Sequence, residues 1–262
     1  MPLLVSDAIV LHAFDYLESS RIFRLATREA GVRSALARGA RRSQKRFGSA
    51  LDLFAQGSAQ LSVQPGRDLD TLTGFDVTES WPALSQDLGR FAGASTIAEL
   101  VLHFASTNAD PGLYDAVSAG LQAIARAEPD HAAAATLAAA WRVISALGFT
   151  PSLDECAECH SPVPGGVPAA FHLSAGGVLC LRCERQTPGG RRLPPEARAA
   201  LHAWIAGRDA PTPDANAIRA HQRLLREFLS HHMVDGAPLR AFAAWEAGSW
   251  GATGVSVTGD AP

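Results

Sequence analysis

The sequence predicts an α+β multidomain chain: an N-terminal five-stranded β-barrel, then an α-helical bundle interrupted by a Cys₄ zinc module. Three observations carry that reading. Residues 1–80 form short β-rich runs separated by turn signals. After Ser80 apolar residues recur at three- and four-residue steps, the period of a helix. The four cysteines fall into two CxxC pairs, Cys156/Cys159 and Cys180/Cys183, with 20 residues between the pairs. The expected organisation is a barrel over 1–80, a helical domain over 81–245 with a zinc-ribbon-like module at 154–185, and a flexible tail over 246–262.

The barrel rests on five segments. Ala8 to Phe14 is an apolar, β-rich run, and Arg21 to Thr27 follows it. Glu29-Ala30-Gly31 supplies a turn, and Val32 to Arg38 then alternates small or apolar residues with polar ones until Gly39. Gly39 to Ser49 is glycine-flanked, polar and basic, so it reads as a loop. Leu51 to Val63 is the next strand, Gln64-Pro65-Gly66-Arg67-Asp68 a strong turn, and Leu69 to Val77 the fifth strand. The OB-fold is the commonest five-stranded closed barrel. Periodicity alone equally allows an SH3-like barrel.

The helical part is read from stripes and stops. Pro82 suits a first turn, and Leu88, Phe91, Ser95, Ala98 and Leu102 repeat at helical steps after it. Pro111 opens a second helix with Leu113, Val117, Leu121 and Ile124 on one face. Asp130 is the expected N-cap of a third, with Ala133, Leu137, Trp141, Ile144 and Leu147 inward and Gly148 as its stop. Within the cysteine module, Phe171–Leu173 and Gly176–Leu179 read as two short strands. Helices resume from Pro194 to Ala206, and Asp214 caps a last one to Met233. Trp141 and His103 read as packing residues.

A CxxC turn lets both thiolates face one point, and two such turns make the tetrahedral sulfur cage that zinc prefers. One structural Zn²⁺ per chain, held by Cys156, Cys159, Cys180 and Cys183, is therefore expected. A pair of disulfides is the first alternative, disfavoured in a reducing compartment. A redox dithiol is the second. His160 and His172 lie nearby but outside a shell that four sulfurs already fill. A closed cage leaves no position for an activated water, which argues against a zinc-dependent nuclease or hydrolase. The sequence has no GxxxxGK[ST], GxSxG or HExxH motif. His231-His232 reads as a helix-end dipole partner. The N-terminus lacks a basic n-region and a cleavage site, and no apolar run approaches the ~20 residues of a membrane span. A cytoplasmic, non-membrane protein is expected.

Charge is segregated. The chain carries a net charge of −3, but residues 21–46 hold nine cations against the single acid Glu29. Such a cluster on an acidic chain suits a polyanion; a solvated, partly paired surface is the alternative. Arg33, Arg38, Arg41, Arg42, Lys45 and Arg46 lie on or beside one strand-to-loop turn and can converge on phosphates. Phe47 is placed either to stack on a base or to plug the core. Arg219, Arg223 and Arg226 share one helix face, which reads as a solvated stripe or as a dock for an acidic peptide.

Several stretches resemble the RecO family of bacterial DNA repair and recombination mediators. Ala8–Leu11 with Tyr16-Leu17-Glu18-Ser19 is similar to that family's first strand and turn, and Leu25–Gly31 to its second. Ala37-Arg38-Gly39-Ala40-Arg41-Arg42-Ser43, then Phe47-Gly48-Ser49-Ala50-Leu51, resembles its basic signature. Ala98-Glu99-Leu100 and the passage Leu147-Gly148-Phe149-Thr150-Pro151 before Cys156 also match. His160 stands where relatives often have glycine. The resemblance spans roughly 5–242. It implies a non-enzymatic protein, nucleoid-associated, that binds single- and double-stranded DNA and anneals complementary strands. It further implies cooperation with RecR, contact with the acidic C-terminal tail of single-stranded-DNA-binding protein, and help in loading RecA. A zinc-stabilised OB-fold protein that binds RNA or the ribosome is the rival reading.

Overall fold

The computed structural model describes residues 2–40, 51–63, 66, 68–232 and 238–248. Five strands, β1 (Leu3–Tyr16), β2 (Ser20–Thr27), β3 (Gly31–Ala37), β4 (Gln56–Ser62) and β5 (Leu69–Glu79), close into a barrel of order β1-β2-β3-β5-β4. β1 pairs with β4 through its first half and with β2 along the rest. Closure comes from a short parallel pairing of β3 with β5, Ser34↔Leu69 to Leu36↔Thr71. That order is the OB-fold arrangement. The barrel is narrow, and its interior mixes alanines with a few large side chains: Ala8, Ala35, Ala37 and Ala59 beside Phe23, Leu25, Leu61 and Phe75.

A β-bulge between Val10 and His12 shifts the β1–β2 register. Up to the bulge, Ile9 and Leu11 point outward with Ala26 and Val32, and these join the core of the helical domain. The helical domain therefore covers one end of the barrel's outward β1–β2–β3 face.

Eight helices follow among the described residues: α1 (Pro82–Gln86), α2 (Leu88–Phe104), α3 (Pro111–Arg126), α4 (Ala132–Ala146), α5 (Leu181–Gln186), α6 (Pro195–Ile205), α7 (Ala215–His232) and α8 (Arg240–Ala247). Asp87 ends α1 and caps α2, its carboxylate accepting from the Arg90 N–H at 2.8 Å. The stripe expected from sequence holds in part: Ala98 is buried and Phe91 and Leu102 pack against the core, but Leu88 is 63% exposed and the buried face is centred on Ala94, Ile97, Leu100 and Val101. Helix α2 sits at the centre of the bundle, with small residues against its neighbours. At Gly93 a Cβ would overlap Thr136 of α4. The expected Asp130 cap is also corrected: Asp130 lies in a 3₁₀ turn, Pro129–His131, and α4 starts after His131. Asp214 does cap α7, accepting from the Asn216 and Ala217 N–H groups at 2.8 Å.

Helix α8 has no capping side chain of its own. Glu99 of α2 supplies one across 142 residues, accepting from the Ala241 and Phe242 N–H groups at 3.0 and 2.9 Å. This satisfies the orphan donors of a first turn and seats Phe242 and Trp245 in the core. No helix among the described residues is long and apolar enough to cross a membrane. The tail beyond Gly248 lies outside the described residues.

Barrel and bundle meet at Gly31. Its φ is +63°, and a Cβ there would overlap the Asn108 carbonyl oxygen. Arg28 beside it pairs with Asp115 and lies over the Tyr114 ring at 5.5 Å. Gly39 shares a positive φ of +71°, but nothing surrounds its Cβ position. In urea unfolding, Gly39→Ala should therefore cost only the ~1–2 kcal/mol of a left-handed residue. Gly31→Ala should cost about 3 kcal/mol or more, because strain and overlap with backbone combine. Equal costs would contradict the junction described.

Candidate metal centre and nucleic-acid interface

The two cysteine pairs reach one point by different routes. The first is a tight turn: the Cys156 N–H donates to the Ser161 carbonyl and the His160 N–H to that of Cys156, each at 2.8 Å. His160 sits at φ +58°, the region that favours glycine. The second pair begins a helix. Cys180 is the N-cap of α5, and Cys183 lies in its first turn. A hairpin of β6 (Ala169–His172) and β7 (Gly177–Leu179) brings the two turns together.

All four sulfurs lie within 4.8 Å of one another. The Cys159 and Cys180 Sγ atoms are 3.7 Å apart, close to the edge of about 3.8 Å in a tetrahedron with ~2.3 Å metal–sulfur bonds. The cysteines are free, so the disulfide alternative does not hold. The opening of α5 at Cys180 alone would suit a redox dithiol, but the other pair converges on the same point. The thiols also disagree about their protons. The Ser161 hydroxyl, then its backbone N–H, holds Cys159 down to about 5, while burial, then the neighbouring thiols, pushes Cys183 up to about 12. Four thiolates can share so small a space only with a cation among them. The donor set is sulfur alone. His172 Nδ1 is bonded to the Ser174 hydroxyl at 2.9 Å, and His160 Nδ1 lies 3.7 Å from Glu155. The four cysteines thus fit a thiophilic ion and would hold it as a closed shell.

The module is fastened to the bundle at several points. A third strand, β8 (Arg191–Leu193), absent from the sequence-based expectation, extends the sheet to β7-β6-β8 and leads directly into α6. Arg198 of α6 is buried and donates to the Pro164 and Val163 carbonyls at 2.8 and 2.6 Å. His202 Nε2 bonds Asp154 at 2.8 Å, and Arg191 pairs with Glu227 of α7. His232 Nε2 donates to the Leu173 carbonyl at 2.6 Å, so the second histidine of the His231-His232 pair ties the end of α7 to the module.

The expected DNA-contacting residues are distributed unevenly. Arg33 of β3 is held by Asp70 of β5, whose carboxylate accepts from its Nε at 2.8 Å and pairs with its terminal nitrogen at 2.6 Å. Asp70 is only 1% exposed, so the Arg33 charge is already balanced. Arg38 is exposed at the end of β3. Arg41, Arg42, Lys45, Arg46 and Phe47 lie outside the described residues. Arg21 pairs with Asp15 at 3.2 Å, and Arg28 with Asp115. Arg24 has no ion pair among the described residues, and its Nε is shielded from water without a hydrogen-bond partner. On α7, Arg219 bonds Asn216 and Arg226 pairs with Glu246 of α8, whereas Arg223 is exposed.

One feature escapes the sequence pattern. Past the bulge, His12, Phe14 and Tyr16 share the outward face of β1, with Phe14 and Tyr16 each 43% exposed. Their i, i+2, i+4 spacing is visible in the sequence, but the bulge that turns them outward is not.

The chain matches two family models: "Recombination protein O N terminal" over residues 1–81 and "Recombination protein O C terminal" over residues 85–240. It is 38% identical over 242 residues to the DNA repair protein RecO of Anaeromyxobacter dehalogenans strain 2CP-C, covering 89% of this chain and 93% of that one. It is 34% identical to the protein of that name from Geobacter metallireducens, covering 88% and 89%. For that of Rubrobacter xylanophilus the identity is 31%, over 96% and 99%.

Metal analysis of the purified chain should find one tightly held divalent ion. Cys156→Ser with Cys180→Ser should abolish it and lower stability together, because binding energy at such a site is folding energy. Retained stability after metal loss would contradict this. Arg198→Met should cost about 2–3 kcal/mol in urea unfolding by leaving buried carbonyls unpaired.

Proposed function

Because this chain belongs to the RecO family of DNA repair proteins, we propose that it is a DNA-binding mediator of recombinational repair with no catalytic step of its own. In this reading it binds single- and double-stranded DNA and anneals complementary strands. With RecR it helps load RecA on gapped DNA coated by single-stranded-DNA-binding protein. The observation that carries the reading is the junction of an OB-type barrel with a connection of one charge sign. The β3–β4 segment holds Arg38, Arg41, Arg42, Lys45 and Arg46 and no acid before Asp52. Guanidiniums there would track phosphates without reading sequence, and Phe47 would lie among them.

The ion in the cysteine cage is proposed to be Zn²⁺, in a structural role: sulfur-only tetrahedra are typical of structural zinc. It supplies a crosslink, and four protein ligands leave no place for a reacting water. The His202–Asp154 pair supports no hydrolytic alternative either. Arg208 donates to His202 Nδ1 at 2.8 Å and Asp154 takes Nε2, so both ring nitrogens are occupied.

The acidic tail of single-stranded-DNA-binding protein is assigned to the Arg219, Arg223 and Arg226 face. Exposed Arg223 supports this, and Arg226 would exchange Glu246 for the tail. The localisation proposed is the cytoplasm, at the nucleoid.

Alanine at Arg41, Arg42, Lys45 and Arg46 together should leave the fold intact and weaken DNA binding. The log–log salt slope on single strands should flatten by roughly 0.7 for each phosphate that is no longer neutralised. An unchanged slope would place the DNA elsewhere. Strong preference for structured RNA over DNA would favour the rival RNA-binding reading.

A further inference from the structure

The four sulfurs do not share one environment. Cys156 and Cys183 are buried, whereas Cys159 and Cys180 are partly exposed and lie 3.7 Å apart. Four thiolates around a divalent ion leave two negative charges in excess. The apolar packing around Cys156 does nothing to offset them. At the partly exposed pair, water can protonate a thiolate and draw it from the ion, because only deprotonated sulfur is a ligand.

The chain places donors at that edge. The Ser161 carbonyl accepts the Cys156 N–H at 2.8 Å and so closes the first CxxC turn. The Ser161 hydroxyl lies 3.0 Å from Cys159 Sγ, and against a thiolate only the hydroxyl can donate. It also reaches Cys180, so one side chain bridges sulfurs of both pairs. Arg182 comes from the second pair. The residues between the cysteines are Ala157-Glu158 in the first turn and Leu181-Arg182 in the second, so Arg182 is the only cation inside either. It donates to Cys159 and Cys183. The Cys159 hydrogen bond, then the Cys159 charge, holds the Arg182 proton more firmly than usual. The nearby carboxylate of Glu184 is engaged by Arg192 at 3.5 Å instead. Arg182 is exposed, so its contact with the sulfurs is electrostatic and owes nothing to burial.

We infer that Ser161 and Arg182 form a donor rim that offsets the excess charge of the sulfur cage and sets how tightly the cage retains its ion. This rests on the structural-zinc reading above and adds to it the residues that determine retention. Hydrogen bonds draw electron density from sulfur and lower the energy of its lone pairs, which makes the bound thiolate a poorer base toward water. Cys159 receives both donors, so it is the ligand that the rim protects most.

The test measures the zinc affinity of the full-length protein by competition with a chromogenic chelator, and the sulfur-to-metal charge-transfer band with Co²⁺ in place of zinc. Ser161→Ala and Arg182→Met should each weaken zinc binding about tenfold or more. Each should also move the band to longer wavelength, because the sulfur lone pairs rise in energy. Ser161→Thr and Arg182→Lys should keep both properties close to those of the unsubstituted protein. Arg185→Met, at an exposed arginine on the same helix, should change neither. Unchanged affinity and band in Ser161→Ala and Arg182→Met overturn the rim and leave the zinc reading standing. So does weaker binding with the band in place, which would mean that the two residues only brace the fold. Absence of zinc binding by the unsubstituted protein overturns both.

Discussion

The contact on which the rest of this structure depends is Trp141 of α4 against Phe228 of α7, with centroids 5.1 Å apart, and Phe228 in turn against Phe171 of β6 at 6.2 Å. Trp141 and Phe171 are fully buried and Phe228 nearly so. This chain of rings joins the helical bundle to the cysteine module, so the module is part of the main core. Burial of three large rings, at about 25 cal/mol per Å² of apolar surface, gives the module what its own short strands cannot. The four cysteines lie at the edge of that core, beside a hairpin whose inner face is already committed to the bundle. Buried Arg198 completes the attachment from the other side.

The same core reaches the barrel. Central helix α2 contributes Ile97, Leu100 and Val101 to a cluster that also holds Ile9, Leu11, Ala26 and Val32 from the barrel's outer surface. The helical domain thereby decides which part of the OB face stays open. Gly31 lets the backbones approach, and Arg28–Asp115 closes the junction at the surface. The rest of the outward face leads to exposed Arg38 at the end of β3. The cysteine cluster, the sharpest chemical motif, is packed into the same core, with Cys156 and Cys183 buried in it.

Much of this is legible in the sequence because the signals are local. CxxC spacing, proline and glycine punctuation, and β-rich runs depend on neighbours in the chain, and the barrel, the helices and the sulfur cluster follow them. Features set by distant partners are not legible. Arg33 reads as one more cation of a basic patch until Asp70, far along the sequence, neutralises it. The buried face of α2 partly escapes the pattern because it is built largely of alanines and glycines, which carry little hydrophobic signal, while exposed Leu88 carries much. Helix α8 needs Glu99 as its cap, a relation invisible to pattern. The turn after Cys159 reads as unusual from sequence, and the left-handed His160 explains why glycine suits that position. The residues with most of the expected DNA contacts, from Arg41 to Phe47, lie outside the described residues, so their role rests on charge and on family membership.

The central claim is that this chain brings complementary DNA strands together without consuming a substrate. The measurement that addresses it most directly is annealing of complementary oligonucleotides, bare and coated with the cognate single-stranded-DNA-binding protein. The account predicts faster annealing on both, with no nucleotide cofactor and with loss at high salt. Absence of annealing on either, under conditions where the protein binds single strands, would contradict it.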